Sequence, residues 1–561
     1  MLGEHLPAIA LLLALIQLGS AAPGAAQQRP GPAPADISPA RLQRDLYRLA
    51  DDSMMGREPG SLGNWKAAAY VAAEFRRLGL HPAGDSGSYF QHVPVSVVQV
   101  SQRARLEVDG TRLEPGTDFL PSTWLTTRPL HLDGTEAIYG GDARDSLHWI
   151  DADRARDKVV VLDVRPDTAG KRAYLRSGAI ASNPRWRSAA ALVLLELDLV
   201  PAASATQIRS GLLSAGTPDT SQWLPPLLLV TPEAGAALFP SPIANLIPGA
   251  PGKRLRADSM TSLSPSPYPG RNVIAILPGR DRRLRGEYIS LSAHNDHVGF
   301  DHAPVDHDSI RSYNHVVRPL GADSPDHAPT PEEWARINAA LRKLRMQHSP
   351  RPDSIYNGAD DDGSGTVALL ELARAFARAK THPRRSILFI SHTAEEYGLA
   401  GSAWFTDHPT VPLDSIIGEI DQDMVGRGNA ADLPGGGPAY LEVVGAWRLS
   451  RRFGDLLVQV NKTLPESLSF NTAYDAPGHP SQYYCRADHF NYARYGIPSV
   501  SLSRGEHLDY HQVTDEPQYI DYQALARVAR LVYAVTLRLA NEDARPALDV
   551  PKPDPHTPCR Q

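Results

Sequence analysis

"SILFISHTAEEYGLAGS", from Ser386 to Ser402, holds an apolar run, Ser386–Ile390, that ends in a short turn and then places two glutamates side by side, Glu395 and Glu396. The run reads as a strand. Two like charges at the end of a buried strand are opposed by mutual repulsion and by desolvation. Such a placement calls for positive charge nearby, and the neighbouring strands indicate what gathers it.

From Asn272 onward the chain alternates near-continuous apolar runs with helical stretches: "NVIAIL", "EYISLS", "SILFIS", "SIIGEIDQ" and "IPSVSLS", with "SGTVALLELARAFARAK" between two of them. Runs apolar on both faces suit a largely parallel sheet covered by helices on both sides, an α/β fold. Tyr522–Leu539 reads as a final amphipathic helix. Upstream, Trp65–Leu78 has helical apolar spacing and stops before Gly79. Between about Val97 and Ser264, short runs such as "ARLEVDG", "DKVVVLDV" and "PPLLLV" alternate with turns, which suggests a separate β-rich module, 97–264, inserted in the main domain (27–96 and 265–543). The connection Gly299–Ile355 is long. It holds a helix start with Thr330 as N-cap, Pro331 at the first position, and Glu332 and Glu333 in the first turn.

Ligand sites in open α/β sheets lie at the carboxyl ends of strands. Here those ends carry His294-Asn295-Asp296-His297, Asp360-Asp361-Asp362, Glu395-Glu396, Asp421-Gln422-Asp423, and Tyr510-His511. Each alone has an ordinary reading, as a helix N-cap or a surface histidine. Five together imply a dication. Imidazole with carboxylate suits Zn²⁺, with Mn²⁺ or Co²⁺ as substitutes. No H-E-x-x-H occurs, so the zincin arrangement is excluded.

The ordered motifs "SAHNDHVG", "NGADDDGSG", "TAEEYGLAGS", "IDQDMVG" and "DYH" resemble those of the secreted double-zinc aminopeptidases. That family also contains glutamate carboxypeptidase, glutaminyl cyclase and the transferrin receptor ectodomain. "GREPGSLGNWKAAAYVAAEFRRLGL" resembles its N-terminal lead-in, and 97–264 resembles the protease-associated domain often inserted there. The resemblance implies two Zn²⁺ per chain sharing Asp361, one completed by His294 and Asp423, the other by Glu396 and His511. It implies Glu395 as general base, Tyr510 as a stabiliser of the oxyanion, and Asp296 as the acceptor that orients His294. It further implies peptide or protein substrates with a free N-terminus. Two positions depart from the family: Ala487 stands before Asp488-His489 where Ser is usual, and Asp421 where Asn is usual. A same-fold carboxypeptidase or cyclase and a non-catalytic receptor are the alternatives. "QDMVG" favours the aminopeptidase branch, and a receptor would have lost metal ligands.

Charge excludes one class of partner: 57 basic against 63 acidic residues give −6, which argues against nucleic acid. "AIALLLALIQLG" followed by small residues reads as a signal peptide, residues 1–26, although "MLGEH" before it carries no Lys or Arg. No other stretch is long and apolar enough to span a membrane, so a secreted or periplasmic protein of open oligomeric state is expected. The two cysteines, Cys485 and Cys559, do not make a disulfide scaffold. A single bridge between them is possible, and Cys485 reads as a buried structural thiol rather than a nucleophile. The Pro-rich tail, 544–561, reads as disordered. "GDSGS" (84–88) lacks the His and Asp setting of a serine protease. His297, His302, His307, His315 and His327 read as a solvated His-rich loop, and Tyr483-Tyr484 as either pocket lining or core.

Overall fold

A computed structural model describes residues 36–122, 130–166, 170–173, 175, 180–201, 205, 208, 212–216, 224–325 and 327–561. The signal-peptide stretch, residues 1–26, lies outside the described residues. Nine strands form the central sheet: β1 (His81–Pro82), β2 (Phe90–Val93), β3 (Gly270–Leu277), β4 (Tyr288–His294), β5 (Ser386–His392), β6 (Ile416–Gln422), β7 (Tyr440–Val444), β8 (Ser469–Asn471) and β9 (Ser499–Ser503). Their order is β1-β3-β5-β4-β6-β9-β7-β8, with β2 also paired to β3. The four middle strands, β5, β4, β6 and β9, are mutually parallel, and antiparallel strands flank them. β5 and β6 are buried along their whole length, as a sheet covered on both faces requires.

The helices of the main domain are α1 (Pro39–Leu49), α2 (Leu62–Arg77), α3 (His307–Val317), α4 (Pro331–Arg345), α5 (Gly365–Ala377), α6 (Ala400–Asp407), α7 (Arg451–Asn461), α8 (His489–Ala493) and α9 (Tyr522–Asn541); α3 and α4 pack on each other in the long connection, and the others use the sheet faces. Side chains alternate across each strand. Val273, Ala275, Ile387 and Phe389 pack against α1, α2, α5, α7 and α9, while Ile274, Leu388 and Ile390 pack against Phe405 of α6 and Tyr492 of α8. Phe389 sits 6.0 Å from Phe75 of α2 and 6.4 Å from Phe376 of α5, and Phe376 stacks on Tyr533 of α9 at 4.3 Å. These contacts tie three helices to the strand that ends at Glu395.

Helix α2 starts three residues before the expected Trp65, because the Ser61 hydroxyl accepts from the Gly63 and Asn64 amides and caps it there. Helix α4 begins at Pro331 with Thr330 and Glu333 forming a reciprocal capping box. The long connection is ordered by that helix, by α3, and by an antiparallel pair, Phe300–Asp306 with Pro352–Ile355. The β-rich region forms its own eight-stranded sheet between Arg105 and Asp258, with a separate core on each side. Val95–Val100 pairs antiparallel with Thr261–Pro265, so the chain enters and leaves that region along adjacent strands. None of the helices among the described residues is long and apolar enough to cross a membrane.

At the C-terminus the bridge that the sequence left open forms: Cys485 is bonded to Cys559 across 74 residues. The expectation of a disordered tail is corrected, because the tail is docked. The Asp549 amide donates to Leu449 O at 2.9 Å and its carboxylate accepts from the Arg451 amide, while Gln561 Nε2 donates to Tyr474 O and its Oε1 accepts from the Tyr484 amide. Proline-rich composition disfavours regular structure but does not prevent an extended segment from lying along a surface. A native bridge typically stabilises by roughly 2–4 kcal/mol. Cys559→Ser is therefore expected to lower the unfolding free energy by about that amount in non-reducing urea titrations. An unchanged midpoint would show that the tail contributes nothing to stability.

Candidate metal centre

Parallel pairing aligns the strand ends. His294 of β4 lies opposite His392 of β5, and Gln422 of β6 opposite Leu502 of β9. The residues that follow therefore emerge at one level. Sharp bends follow: Ala394, Met424 and His511 all have φ between +53° and +58°, a conformation costly for residues with a Cβ. Asp361 belongs to the irregular turn Ala359–Ser364 that leads into α5. Gly358 before it has φ +52°, and a Cβ there would come within 2.2 Å of Asp361 O and 2.5 Å of the His297 ring, so only glycine fits.

These exits bring all five expected metal ligands together. Asp361 faces two ways. Its Oδ1 lies 3.2 Å from His294 Nε2, and its Oδ2 lies 3.0 Å from His511 Nε2. On the first side Asp423 Oδ1 is 3.7 Å and Glu395 Oε2 3.8 Å from His294 Nε2. On the second, Glu396 Oε2 is 2.9 Å from His511 Nε2. His294 Nε2 and His511 Nε2 are buried and make no hydrogen bond of good geometry. Imidazole nitrogens turned toward carboxylate oxygens, with Asp361 between them, form a donor set that fits borderline dications such as zinc.

The surrounding groups hold this set in place. Asp362 stands close to His294 and Asp423, but its oxygens are taken by backbone amides: His294 at 3.0 Å, Gly365 at 2.9 Å and Met424 at 3.1 Å. It clamps three loops together rather than offering itself as a ligand. Asp296 Oδ1 is 3.4 Å from His294 Nδ1, and its two oxygens accept from the Glu395 and Glu396 amides at 3.2 and 3.3 Å. The same carboxylate thus sets the ring of one metal-facing residue and the backbone of two others. Asp515 accepts from the Asp360 and Asp361 amides. Arg57, fully buried, donates to the carbonyls of Leu49, Asn295, Asn357, Gly358 and Asp361. Burial lowers its pKa, and the Asp361, Asp296, Asp515 and Asp362 carboxylates oppose that.

The adjacent glutamates are driven apart. Burial raises Glu395 well above the usual carboxylate range, His294 offsets part of this, and Asp423 and Glu396 add to it. Burial and the Asp361 charge would raise Glu396 too, but His511 and a hydrogen bond from His297 bring it down to about 2. One residue is suited to carry a proton, its neighbour to stay a bare anion. Asp421, at the position where Asn is usual, is pushed up to about 7, mainly by burial and then by Asp423, with the Ser292 hydroxyl donating to it. Tyr510 stacks on His511 at 4.0 Å between ring centres, and its hydroxyl accepts from Arg486 Nη2 at 3.3 Å. A pocket opens from Asp361, Glu395, Asp423 and Tyr510 toward Tyr483, Ala487 and Glu442.

The reading of five histidines as one solvated loop is corrected. His297 is fully buried beside Glu396, and His307 is buried in α3, whereas His327 is exposed and paired with Glu333 (the His302 side chain lies outside the described residues). "GDSGS" is an exposed turn in which Asp85 accepts from the His92 amide. Arg57 and Asp515 were not singled out by sequence, and Asp362 only as one of three adjacent aspartates. Their role is to fix backbone across long separations, which residue type does not reveal, although Arg57 stands inside the recognisable "GREPGS".

Residues 272–536 match peptidase family M28. Leucine aminopeptidase 1 of Penicillium rubens is 28% identical over 194 residues, covering 33% of this chain and 47% of that protein. The Paracoccidioides brasiliensis (strain Pb03) protein of the same name is 31% identical over 192 residues with the same coverage. The chain thus spans about half the length of the curated relatives it matches. Among solved structures, a zinc aminopeptidase from Bacillus subtilis aligns over 92% of this chain and 98% of its own, with 17% identity and a TM-score of 0.48.

The carbonyl clamp yields a direct test. Lysine keeps the charge of Arg57 but has fewer donors and no planar fork. Arg57→Lys is expected to cost about 1–3 kcal/mol for each carbonyl left without a donor, read by urea titration. A variant as stable as the parent would contradict the clamp.

Proposed function

We propose, for a chain whose residues 272–536 belong to peptidase family M28, the activity of an exported zinc aminopeptidase that releases N-terminal residues from peptides. The observation that supports this most is Asp361, whose two oxygens face two separate imidazole–carboxylate sets with Glu395 at their edge. His294, Asp361 and Asp423 would hold one zinc ion, and Asp361, Glu396 and His511 a second. Bound there, zinc would lower the pKa of water toward about 7 and polarise the scissile carbonyl.

The remaining steps belong to the chain's own residues. Glu395, raised by burial, takes the proton of the attacking water. The oxygen bonds to the carbonyl carbon, the C–N bond breaks, and Glu395 returns the proton to the leaving amine. The Tyr510 hydroxyl donates to the developing oxyanion. Asp296 keeps His294 and the Glu395 amide in register. A substrate's free α-amine is a cation, and the carboxylates that line the pocket give it acceptors. An acylated N-terminus lacks that charge. Export agrees with the apolar N-terminal stretch and with the Cys485–Cys559 bridge, which persists in oxidising compartments. The eight-stranded β region, read as a protease-associated insert, supplies none of the residues assigned here.

Aminoacyl-p-nitroanilides assayed beside their N-acetylated counterparts test this reading, with 1,10-phenanthroline and zinc re-addition as controls. Zinc-dependent cleavage of the free-amine series alone is expected. Glu395→Gln should lower kcat by about 10²–10⁴-fold while zinc content stays at the parent level. Equal cleavage of both series, or full activity in the variant, would contradict the assignment.

A further inference from the structure

His297 has a place in the cluster that the ligand sets above leave unused. Its Nδ1 lies 2.7 Å from Glu396 Oε1 and 3.8 Å from Asp361 Oδ2. Its ring meets the His511 ring at 5.5 Å and 73°. One ligand atom each from His297, Asp361, Glu396 and His511 falls within 4.8 Å of every other. Nitrogen and oxygen ligands about 2.0–2.2 Å from a tetrahedral zinc lie roughly 3.3–3.5 Å apart, close to the spacings found here.

The ring is built into this position. His297 is fully buried, its amide donates to Arg57 O at 3.2 Å, and it packs against the bare Cα of Gly358. Nε2 has no hydrogen-bond partner, so the polar contacts that seat the ring all lie on the Nδ1 side. On the other side of Asp361 the comparable set is smaller. His294 and Asp423 share Asp361 there, while Asp362 is occupied by three amides and Glu395, the assigned base, stands 3.8 Å from His294 Nε2.

We propose that His297 is a fourth protein ligand, which closes the Asp361–Glu396–His511 position with two imidazoles and two carboxylates. The His294–Asp361–Asp423 position keeps three ligands and a free place. Closed four-ligand zinc sites are structural and open three-ligand sites are catalytic. With zinc bound, the two positions would divide the work: the closed one would anchor Asp361, Glu396 and the loop of His511, and the open one would leave a place for water and the substrate carbonyl. This inference rests on the di-zinc reading above.

A crystal structure of the zinc-loaded protein with anomalous scattering at the zinc edge separates the two claims. His297 Nδ1 within about 2.1 Å of a zinc ion is the expected result. Two zinc ions with the His297 ring more than about 3 Å from either, bonded only to Glu396, would overturn the fourth ligand and leave the di-zinc reading standing. No zinc in the cluster would overturn both. In solution, His297→Asn retains a side-chain donor but not the imidazole. Chelator competition should show one zinc held as in the parent and the other weakened more than about 100-fold, beyond the 10–100-fold that loss of an outer hydrogen bond costs. A weakening smaller than that would assign His297 to hydrogen bonding and overturn the proposal.

Discussion

The structure depends on one electrostatic constraint: the buried carboxylates at the end of the central sheet must be matched by positive charge. Asp296, Asp361, Asp362, Glu395, Glu396 and Asp423 converge there, and the buried guanidinium of Arg57 is spent on carbonyls. Imidazoles can balance part of this by holding protons. Burial would lower the pKa of His511, but Glu396 and Asp361 raise it to about 11, and His294 is raised in the same way against burial by Glu395, Asp296, Asp361 and Asp423. The positions of those protons are the positions that cations take, and metal binding at such sites is coupled to proton release.

The fold answers the constraint with geometry rather than bulk. Parallel strands in level register bring residues far apart in sequence to one plane, and residues at positive φ turn each chain end inward at once. Asp296, Asp362 and Asp515 accept backbone amides, which lets negative charge serve as scaffold as well as ligand. Behind them the Phe75–Phe389–Phe376–Tyr533 contacts anchor β5 to three helices. A shift of β5 would move Glu395 and Glu396 together, so the packing of that strand and the placement of the base and its neighbour are one problem.

Much of this was legible in the sequence. Apolar runs without polar alternation marked strands of a doubly covered sheet, and the acidic and imidazole residues at their ends marked the site, because both signals are local. What escaped was non-local. The last two strands of the sheet, Tyr440–Val444 and Ser469–Asn471, are short and give no run long enough to stand out. Arg57 is separated from the backbone it holds by about three hundred residues in Asn357 and Gly358. His297 was grouped with the histidines that follow it, although burial separates it from His327. The Cys485–Cys559 pairing had no framework of further cysteines to announce it, and a Pro-rich tail hides docking contacts that depend on single residues such as Asp549 and Gln561.

The central claim is that this charge is completed by two bound dications and not by protons alone. Metal content determined by mass spectrometry under native conditions, on protein dialysed free of metal and then titrated with Zn²⁺, tests it most directly. The account predicts two zinc ions per chain and a melting temperature that rises with zinc, as binding to the folded state requires. A folded chain that takes up no zinc, with a melting temperature indifferent to it, would contradict the account.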